Sequence, residues 1–209
     1  METTFKLIIL GNQYCGKTSL FNRISDGSFL KTYTATIGID YCSIKQTYNN
    51  KDYKIVLWDT SGQDKFDFML KSYLQCVTGA IVMYDITDIK SLNAAEVWIN
   101  EFRERKTNKN LPIMLLSNKI DLESMREVPK ETLNELKEKY NIHVLEVSTK
   151  ENINIEKIIP IFIEDIEEKL INNVIIPNFE NGVKINKFKK EEFEIDDDKN
   201  EDPRCCNIL

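Results

Sequence analysis

The sequence predicts an α/β fold in which a mostly parallel sheet is covered by helices on both faces. Apolar runs of strand length alternate with segments of helical period, which is the pattern of crossover units in a parallel sheet. One stretch differs, because residues 37–47 alternate in polarity and are followed by the short turn Asn49-Asn50. One edge strand is therefore expected to be antiparallel.

The elements can be assigned in order along the chain. Strands are predicted at residues 5–10, 37–47, 55–58, 80–84, 113–116 and 143–147. Helices are predicted at residues 18–24, 66–74, 92–102, 131–140 and 153–170. From about Pro177 this periodicity fades, and residues 189–204 hold eight acidic and four basic residues, with little apolar surface to offset the entropy of ordering. We expect one domain at residues 1–175 and a disordered tail at residues 176–209.

Composition restricts the classes of function. The 209 residues are 42% hydrophobic, enough for one sizeable core, and a monomer is expected. A net charge of −6 gives no overall positive field, so nucleic-acid binding is not expected. The sequence shows neither a signal peptide nor an apolar run that could span a membrane, which favours a cytoplasmic protein. The five cysteines and one histidine have no metal-ligand spacing, so neither zinc nor disulfides are predicted.

Residues 11–19 have the features of a loop that binds phosphate. Two glycines separated by four residues precede a lysine and a hydroxyl residue, between a predicted strand and a predicted helix. Backbone N–H groups at a helix N-terminus form an anion cradle, Lys17 supplies a positive charge, and the Thr18 hydroxyl can coordinate Mg²⁺. This context disfavours an ordinary glycine-rich turn. The expected phosphate-binding residues are Gly11, Gln13, Tyr14, Cys15, Gly16, Lys17, Thr18 and Ser19.

A second polar segment follows the predicted strand at residues 55–58. It reads Asp59-Thr60-Ser61-Gly62-Gln63. Beside a phosphate loop, Asp59 can hold Mg²⁺, the backbone N–H of Gly62 can approach a γ-phosphate, and Gln63 can orient a water for in-line attack. Alone, this segment would be a plain strand-to-turn signal. Together with the phosphate loop it predicts the second half of one site, in which Gln63 and Lys17 are the catalytic residues.

Two further segments predict selection of the base. After the strand at residues 113–116 comes Asn118-Lys119-Ile120-Asp121, and after residue 147 comes Ser148-Thr149-Lys150. The Asp121 carboxylate can accept hydrogen bonds from the ring N–H and exocyclic amine of guanine, and adenine would leave it poorly paired. Asn118 is expected to tie the loops together, and Lys119 to lie along the base. The nucleotides expected are therefore GTP and GDP, which argues against an adenine-nucleotide phosphotransferase.

With these four segments the sequence resembles the Rab family within the Ras superfamily of small GTPases, over residues 5–172. Further similar stretches are Thr36-Ile37-Gly38-Ile39-Asp40-Tyr41, Trp58-Asp59-Thr60-Ser61-Gly62-Gln63-Asp64-Lys65-Phe66 and Tyr84-Asp85-Ile86-Thr87. The resemblance implies a P-loop NTPase fold, a six-stranded mostly parallel sheet with one antiparallel edge strand and about five flanking helices. It also implies that Thr36 meets Mg²⁺ and γ-phosphate, Tyr33 covers the phosphates and Phe29 packs on guanine.

The same resemblance implies a slow GTPase that cycles between GTP-bound and GDP-bound states in vesicle trafficking. Its partners would be an exchange factor, a GTPase-activating protein, effectors and a prenyl-binding chaperone. Effectors would contact Ile39, Tyr41, Trp58 and Tyr73. The three aromatic residues of this set could instead simply pack on the sheet.

The sequence departs from the Rab pattern at several positions. Gln13 replaces a usual Ser, Tyr14 a small residue, Ser61 and Thr149 usual alanines, and Gln75-Cys76 a usual Arg-Gly pair. A longer side chain at residue 13 could crowd the attacking water, so we expect hydrolysis slower than is typical. The alternative function is a constitutively GTP-bound membrane scaffold that hydrolyses GTP poorly.

The last residues predict a lipid anchor. Cys206-Asn207-Ile208-Leu209 fits a prenylation pattern in which the final Leu favours a geranylgeranyl group, and Cys205 lies beside it. Two lipid chains anchor a protein stably where one is marginal, and the acidic tail cannot supply a basic second signal. Geranylgeranyl groups on Cys205 and Cys206 are expected to hold the chain on the cytoplasmic face of an intracellular membrane. Palmitoylation of Cys205 is the alternative.

Overall fold

The computed structural model describes residues 3–30, 36, 38–61, 74, 77–105 and 110–171. Its strands are β1 (Thr3–Gly11), β2 (Ile39–Tyr48), β3 (Lys51–Thr60), β4 (Gly79–Asp85), β5 (Ile113–Asn118) and β6 (His143–Glu146). Its α-helices are α1 (Lys17–Asp26), α2 (Ile89–Glu104), α3 (Glu131–Tyr140) and α4 (Ile158–Ile171). Short 3₁₀ helices span Ile120–Met125 and Ile155–Lys157. No helix in the described ranges is long and apolar enough to cross a membrane.

The six strands form one sheet in the order β2-β3-β1-β4-β5-β6. The pairs from β3 to β6 are parallel, and only β2 pairs with its neighbour β3 in the antiparallel direction. The two strands of that hairpin meet through Asn49 and Asn50, whose φ angles of 49° and 59° are both positive. Asparagine tolerates such angles, as a two-residue hairpin turn requires. The predicted fold is confirmed, including its antiparallel edge strand.

The central strands are buried because both faces of the sheet are covered. Alternate residues of β1 enter two separate apolar clusters, with Ile8 on the face that α2 and α3 cover and Leu7 on the opposite face. The second cluster includes Leu20 from α1 and Phe162 from α4. Continuous apolar strands are expected where helices pack on both sides. Leu20 thus holds α1, the helix that follows the phosphate loop, against this face of the sheet.

The last helix begins later than the sequence pattern indicates. Residues 153–170 have helical period, but Ile153 pairs with Ser148 in an isolated antiparallel bridge, and α4 starts at Ile158. Asn154, between the bridge and the helix, has a φ of 62° that interrupts any helix. The bridge closes a short loop directly after β6. The predicted helix at residues 66–74 lies outside the described residues except for Leu74, and so does the proposed boundary at residue 175.

Parallel pairing brings the carboxyl ends of β1, β3, β4 and β5 to one edge of the sheet. Gly11 ends β1, Asp59 lies at the end of β3, Asp85 ends β4, and Asn118 ends β5. In open α/β sheets, ligands bind at this edge. The polar residues predicted from four distant parts of the sequence therefore lie side by side.

Candidate functional site

The phosphate loop is folded so closely that two of its positions accept only glycine. Gly11 has a φ of 141°, and a Cβ there would lie 2.4 Å from the carbonyl oxygen of Met83. Gly16 has a φ of 100°, and its Cβ would lie 2.3 Å from Nδ2 of Asn118. Side chains at either position would collide with the end of β4 or with the residue that ends β5. The glycine spacing thus reflects close contact as well as backbone freedom.

Lys17 and the first turn of α1 give this loop its positive character. The Lys17 side chain is buried, and its Nζ donates a hydrogen bond to the Asn12 carbonyl oxygen at 2.7 Å. Gly16 provides no side-chain cap for α1, and the first turn carries no acidic residue. Orphan N–H groups at a helix N-terminus, together with a lysine ammonium, attract anions. The loop can therefore cradle phosphate groups.

The intervening loop residues differ in exposure. Gln13 and Ser19 are half-buried, whereas Tyr14 is 63% exposed and has a φ of 64°. Cys15 is buried, and its thiol donates to the Asn12 carbonyl oxygen at 3.0 Å. Burial raises the pKa of the Cys15 thiol, so it stays protonated. Cys15 is a packing residue of the loop rather than a nucleophile.

Three side-chain oxygens from separate segments converge beside the loop. Thr18 Oγ1 donates to Asp59 Oδ2 at 2.7 Å, and the hydroxyl oxygens of Thr18 and Thr36 are also 2.7 Å apart. Thr36 Oγ1 lies 3.4 Å from the same carboxylate oxygen. Asp59 is 1% exposed, and its Oδ1 has no hydrogen-bond partner among the described residues. Burial raises the pKa of this carboxyl group.

This oxygen cluster fits a Mg²⁺ ion. A buried carboxylate with an unpartnered oxygen is costly unless a cation compensates its charge. Mg²⁺ prefers oxygen ligands and is held by one or two carboxylates together with water and substrate phosphates. The described ranges contain no group of three or more His, Cys, Asp or Glu side chains that could hold a metal. One carboxylate and two hydroxyls beside a phosphate loop match magnesium rather than a metal held by protein ligands alone.

Asn118 joins the phosphate loop to both predicted base-binding segments. Its Nδ2 donates to the Cys15 carbonyl oxygen at 2.8 Å and lies 3.3 Å from Oγ1 of Thr149. Its Oδ1 accepts a hydrogen bond from the backbone N–H of Thr149 at 3.1 Å. Asn118 is fully buried. Its amide therefore fixes the relative positions of three segments that are far apart in sequence.

The carboxylate of Asp121 is held in one orientation by the segment after β6. Ser148 donates from Oγ to Asp121 Oδ1 at 2.6 Å, and Nζ of Lys150 lies 3.6 Å from Oδ2. Lys119 has a φ of 69°, and its Nζ forms an ion pair of 2.5 Å with Asp85 Oδ2. These contacts leave a fixed acceptor at the sheet edge, which can recognise paired donors on a flat ring.

Asp85 is a site residue that sequence reasoning missed. Its carboxylate accepts from the backbone N–H and the hydroxyl of Thr87 and pairs with Lys119. It ends β4, so its position could have been read from the same rule that singled out Asp59 and Asn118.

The other predicted residues fall into two groups. Phe29 is half-buried, Ile39 packs against the core, and Tyr41 is 56% exposed. Trp58 is only 6% exposed and belongs to the core. Its ring therefore packs on the sheet, which was the alternative to an effector contact. The remaining predicted site residues lie outside the described residues; they are Tyr33, Gly62, Gln63, Tyr73, Cys205 and Cys206.

Comparison with known proteins agrees with the fold and the arrangement of the site. A sequence model of the Ras family matches residues 6–168. Ras-related protein RABD2c of Arabidopsis thaliana is 37% identical over 153 residues, which are 73% of this chain and 75% of the relative. Ras-related protein Rab-10 of Diplobatis ommata is 37% identical over 168 residues, which are 80% of this chain and 84% of the relative.

The chain therefore belongs to the Ras family and, within it, to the Rab type of small GTPase. The resemblance drawn from the motifs is confirmed. The protein binds guanine nucleotide, hydrolyses GTP and acts in vesicle trafficking, together with regulators and effectors. The constitutively GTP-bound scaffold is not favoured.

Proposed function

We propose that the edge of the sheet binds GTP together with Mg²⁺, and that hydrolysis switches the chain between an effector-recruiting state and a GDP-bound state. The observation that carries this proposal is the meeting of Thr18, Thr36 and Asp59 beside the phosphate loop, with Asp59 Oδ1 left without a partner. Thr36 itself lies outside the helices and strands of the described residues. A ligand that engages Thr36 can therefore bias the position of this residue.

The phosphates are bound by the loop at residues 11–19. Backbone N–H groups after Gly11 and at the start of α1 face the phosphate oxygens, and Lys17 moves its ammonium from the Asn12 carbonyl to the outer phosphates. Thr18, Thr36 and Asp59 would hold Mg²⁺. The chemistry that Mg²⁺ would supply there is positive charge to offset the negative charge on the phosphate oxygens.

The base is bound by the opposite part of the site. Asp121, oriented by Ser148, accepts hydrogen bonds from the ring N–H and exocyclic amine of guanine. Lys119 lies along the plane of the base, and Phe29 packs against it. Thr149 and Lys150 complete the binding site for the base, and Asn118 holds Thr149 in place. Tyr33 covers the phosphates from the segment outside the described residues.

Hydrolysis uses positioning and electrostatics rather than a strong base. Gln63 orients the attacking water, and the backbone N–H of Gly62 meets the γ-phosphate. Reactions of this kind run at about 10⁻⁴ to 10⁻³ per second unaided and gain roughly 10⁵-fold from an activating protein. That gain corresponds to about 7 kcal/mol of barrier, supplied by a partner. The partner that supplies this gain is a GTPase-activating protein. An exchange factor is the second regulator that we propose.

Effectors approach the β2 edge of the sheet. Tyr41 is exposed there, Ile39 lies two residues before it, and Trp58 supports the same surface from the core. Tyr73 completes the surface from outside the described residues. Ile39 and Tyr41 lie three and five residues after Thr36 in the sequence, so the state of the nucleotide can reach the contact surface.

Geranylgeranyl groups on Cys205 and Cys206 anchor the tail, residues 176–209, to the cytoplasmic face of an intracellular membrane, and a prenyl-binding chaperone extracts the GDP-bound form. The mass of the native protein tests this directly. Two geranylgeranyl groups are expected, and a single lipid group would reject double prenylation.

Equilibrium binding tests the proposed site. Fluorescent GDP and a non-hydrolysable GTP analogue are expected to bind only weakly with EDTA and much more tightly with Mg²⁺, whereas ATP should not compete. The control Asp52→Asn replaces an exposed carboxylate at the start of β3 and should bind as the wild type does. Tight binding that is indifferent to Mg²⁺, or equal binding of ATP, would contradict the proposal.

A further inference from the structure

Arg23 in the last turn of α1 donates three hydrogen bonds to backbone carbonyl oxygens. Its Nε donates to Thr149 at 2.8 Å, and Nη2 donates to Lys150 at 2.7 Å. Nη1 donates to Gly27, at the end of the same helix, at 2.7 Å. The guanidinium carbon also lies 5.4 Å from the centre of the Phe29 ring. One planar group thus contacts three separate pieces of the base side of the site.

Only the contact with Gly27 is explained by helix capping. Basic side chains near a helix C-terminus commonly bond the last carbonyls of their own helix. The bonds to Thr149 and Lys150 instead reach a loop 126 and 127 residues away in the sequence. A helix-capping role would not require them, so a second role is indicated.

The loop that Arg23 holds is already fixed from its other side. Asn118 accepts from the N–H of Thr149, whereas Arg23 donates to the carbonyl oxygen of the same residue. Ser148, the neighbouring residue, orients Asp121. Releasing Arg23 would therefore loosen one side of a loop whose first residue positions the base-reading carboxylate.

The chemistry of the contact requires arginine rather than any cation. A guanidinium is a rigid planar fork with five donors, and its flat face can stack on an aromatic ring. Lysine is a point charge that can reach one or two of these carbonyls but cannot span them while lying over Phe29. Replacing Arg23 by lysine should therefore lose part of these contacts, and replacing it by alanine should lose all of them.

We propose that Arg23 is a positioning residue for the guanine base, which joins the Ser148–Lys150 loop to Phe29 and so keeps the base in register with Asp121. This inference rests on the proposed guanine site. The side chain acts on the base through Thr149, Lys150 and Phe29, and it contacts neither Lys17 nor the Asp59 cluster through any of these bonds. Its removal should loosen the base while the phosphate contacts persist.

The test compares Arg23→Ala and Arg23→Lys with the control Arg105→Gln. Arg105 caps the end of α2 and pairs with Glu101 of the same helix, and neither residue belongs to the candidate site. Two quantities are measured with Mg²⁺: the rate of GDP dissociation, and the ratio of the dissociation constants for IDP and GDP. IDP lacks the exocyclic amine that Asp121 reads, so the ratio reports the alignment of the base.

For Arg23→Ala we expect GDP to dissociate at least about tenfold faster and the IDP-to-GDP ratio to fall by about threefold or more, since bonds from a charged donor to the loop are lost. Arg23→Lys should lie between the alanine variant and the wild type. Arg105→Gln should match the wild type in both quantities.

Two results would overturn the inference. If both Arg23 variants keep the wild-type ratio and the wild-type rate of GDP dissociation, the residue does not act on the base. If affinities for GDP and IDP fall equally in both variants, the effect is general destabilisation. A wild-type protein that does not distinguish GDP from IDP would instead contradict the guanine site itself. Arg23→Lys retains the charge and stem, so it provides a folded variant should the alanine variant unfold.

Discussion

Individual side chains in this site are polar, buried and shared between segments. Asn118 uses both ends of its amide to hold the phosphate loop and Thr149, while Asp59 leaves one oxygen without a partner in the described structure. A satisfied buried amide stabilises the fold, whereas an unsatisfied buried carboxylate costs free energy. Asn118 therefore braces the site, whereas Asp59 is suited to bind a ligand. Substitutions at the two residues should differ in their effects on stability and on binding.

Asp59→Asn is expected to remove most of the effect of Mg²⁺ on nucleotide release. The amide keeps the volume of the carboxylate but lacks its charge, so the metal loses its protein carboxylate ligand. In the wild type, Mg²⁺ should slow GDP release by at least about tenfold relative to EDTA, and in the variant by less than about twofold. An unchanged response to Mg²⁺ in stopped-flow measurements would show that Asp59 is not at the metal site.

Asp121→Asn should exchange the base preference. An amide in place of the carboxylate can donate to a ring carbonyl, so xanthine, which has an oxygen where guanine has an amine, becomes the better ligand. Competition binding should show GDP weakened by at least about a hundredfold and XDP strengthened. Glu151→Gln, an exposed carboxylate in the next loop, is the matched control and should prefer GDP. A variant that still prefers GDP would place base recognition elsewhere.

Gln13→Ser tests the departure in the phosphate loop. If the longer side chain crowds the attacking water, the smaller serine should raise single-turnover GTP hydrolysis by about threefold or more, since small misplacements of reacting groups slow a reaction strongly. Gln13 is half-buried. No gain in the rate would reject the crowding hypothesis.

At the level of elements, the ends of strands and helices place the chemistry. The phosphate loop depends on the junction of β1 and α1, where Gly16 adopts a φ of 100° against Asn118. Gly27 ends the same helix with a φ of 76°, but a Cβ there would meet nothing within 4 Å. Both glycines thus have a positive φ, but a side chain would collide with a neighbour only at Gly16.

This difference predicts unequal costs for alanine. Gly27→Ala should lower the free energy of unfolding by about 1 kcal/mol through backbone strain. Gly16→Ala should lower it by about 3 kcal/mol, because the methyl group also displaces the Asn118 amide from its partners. Urea denaturation measures both values. Equal costs would show that the loop relaxes around the methyl group.

Local patterns predicted the elements better than their ends or their mutual contacts. The alternation of apolar runs and the Asn49-Asn50 turn predicted the strand directions, because burial on one or two faces leaves a direct mark on sequence. The start of α4 was misplaced, since the bridge between Ser148 and Ile153 overrides a helical pattern that continues through it. Tertiary pairing of this kind leaves no local signal.

For the whole molecule, the motifs predicted the candidate site, and the fold shows contacts within it that no motif indicates. Asp59, Asn118 and Asp121 could be singled out because each follows a strand that ends at one edge. Arg23 could not, since its bonds to Thr149 and Lys150 span more than a hundred residues and no spacing rule connects them. The burial of Trp58 likewise needed the packed structure.

Single-turnover GTP hydrolysis distinguishes a cycling switch from a constitutively GTP-bound scaffold. The measurement uses purified full-length protein loaded with GTP and Mg²⁺, beside the variant Gln63→Leu. Because Gln13 is expected to slow the reaction, the wild type should hydrolyse GTP at or below about 10⁻⁴ per second, and the variant at least about tenfold more slowly. GTP that stays intact in both proteins would contradict a cycling switch and point to a constitutively GTP-bound scaffold.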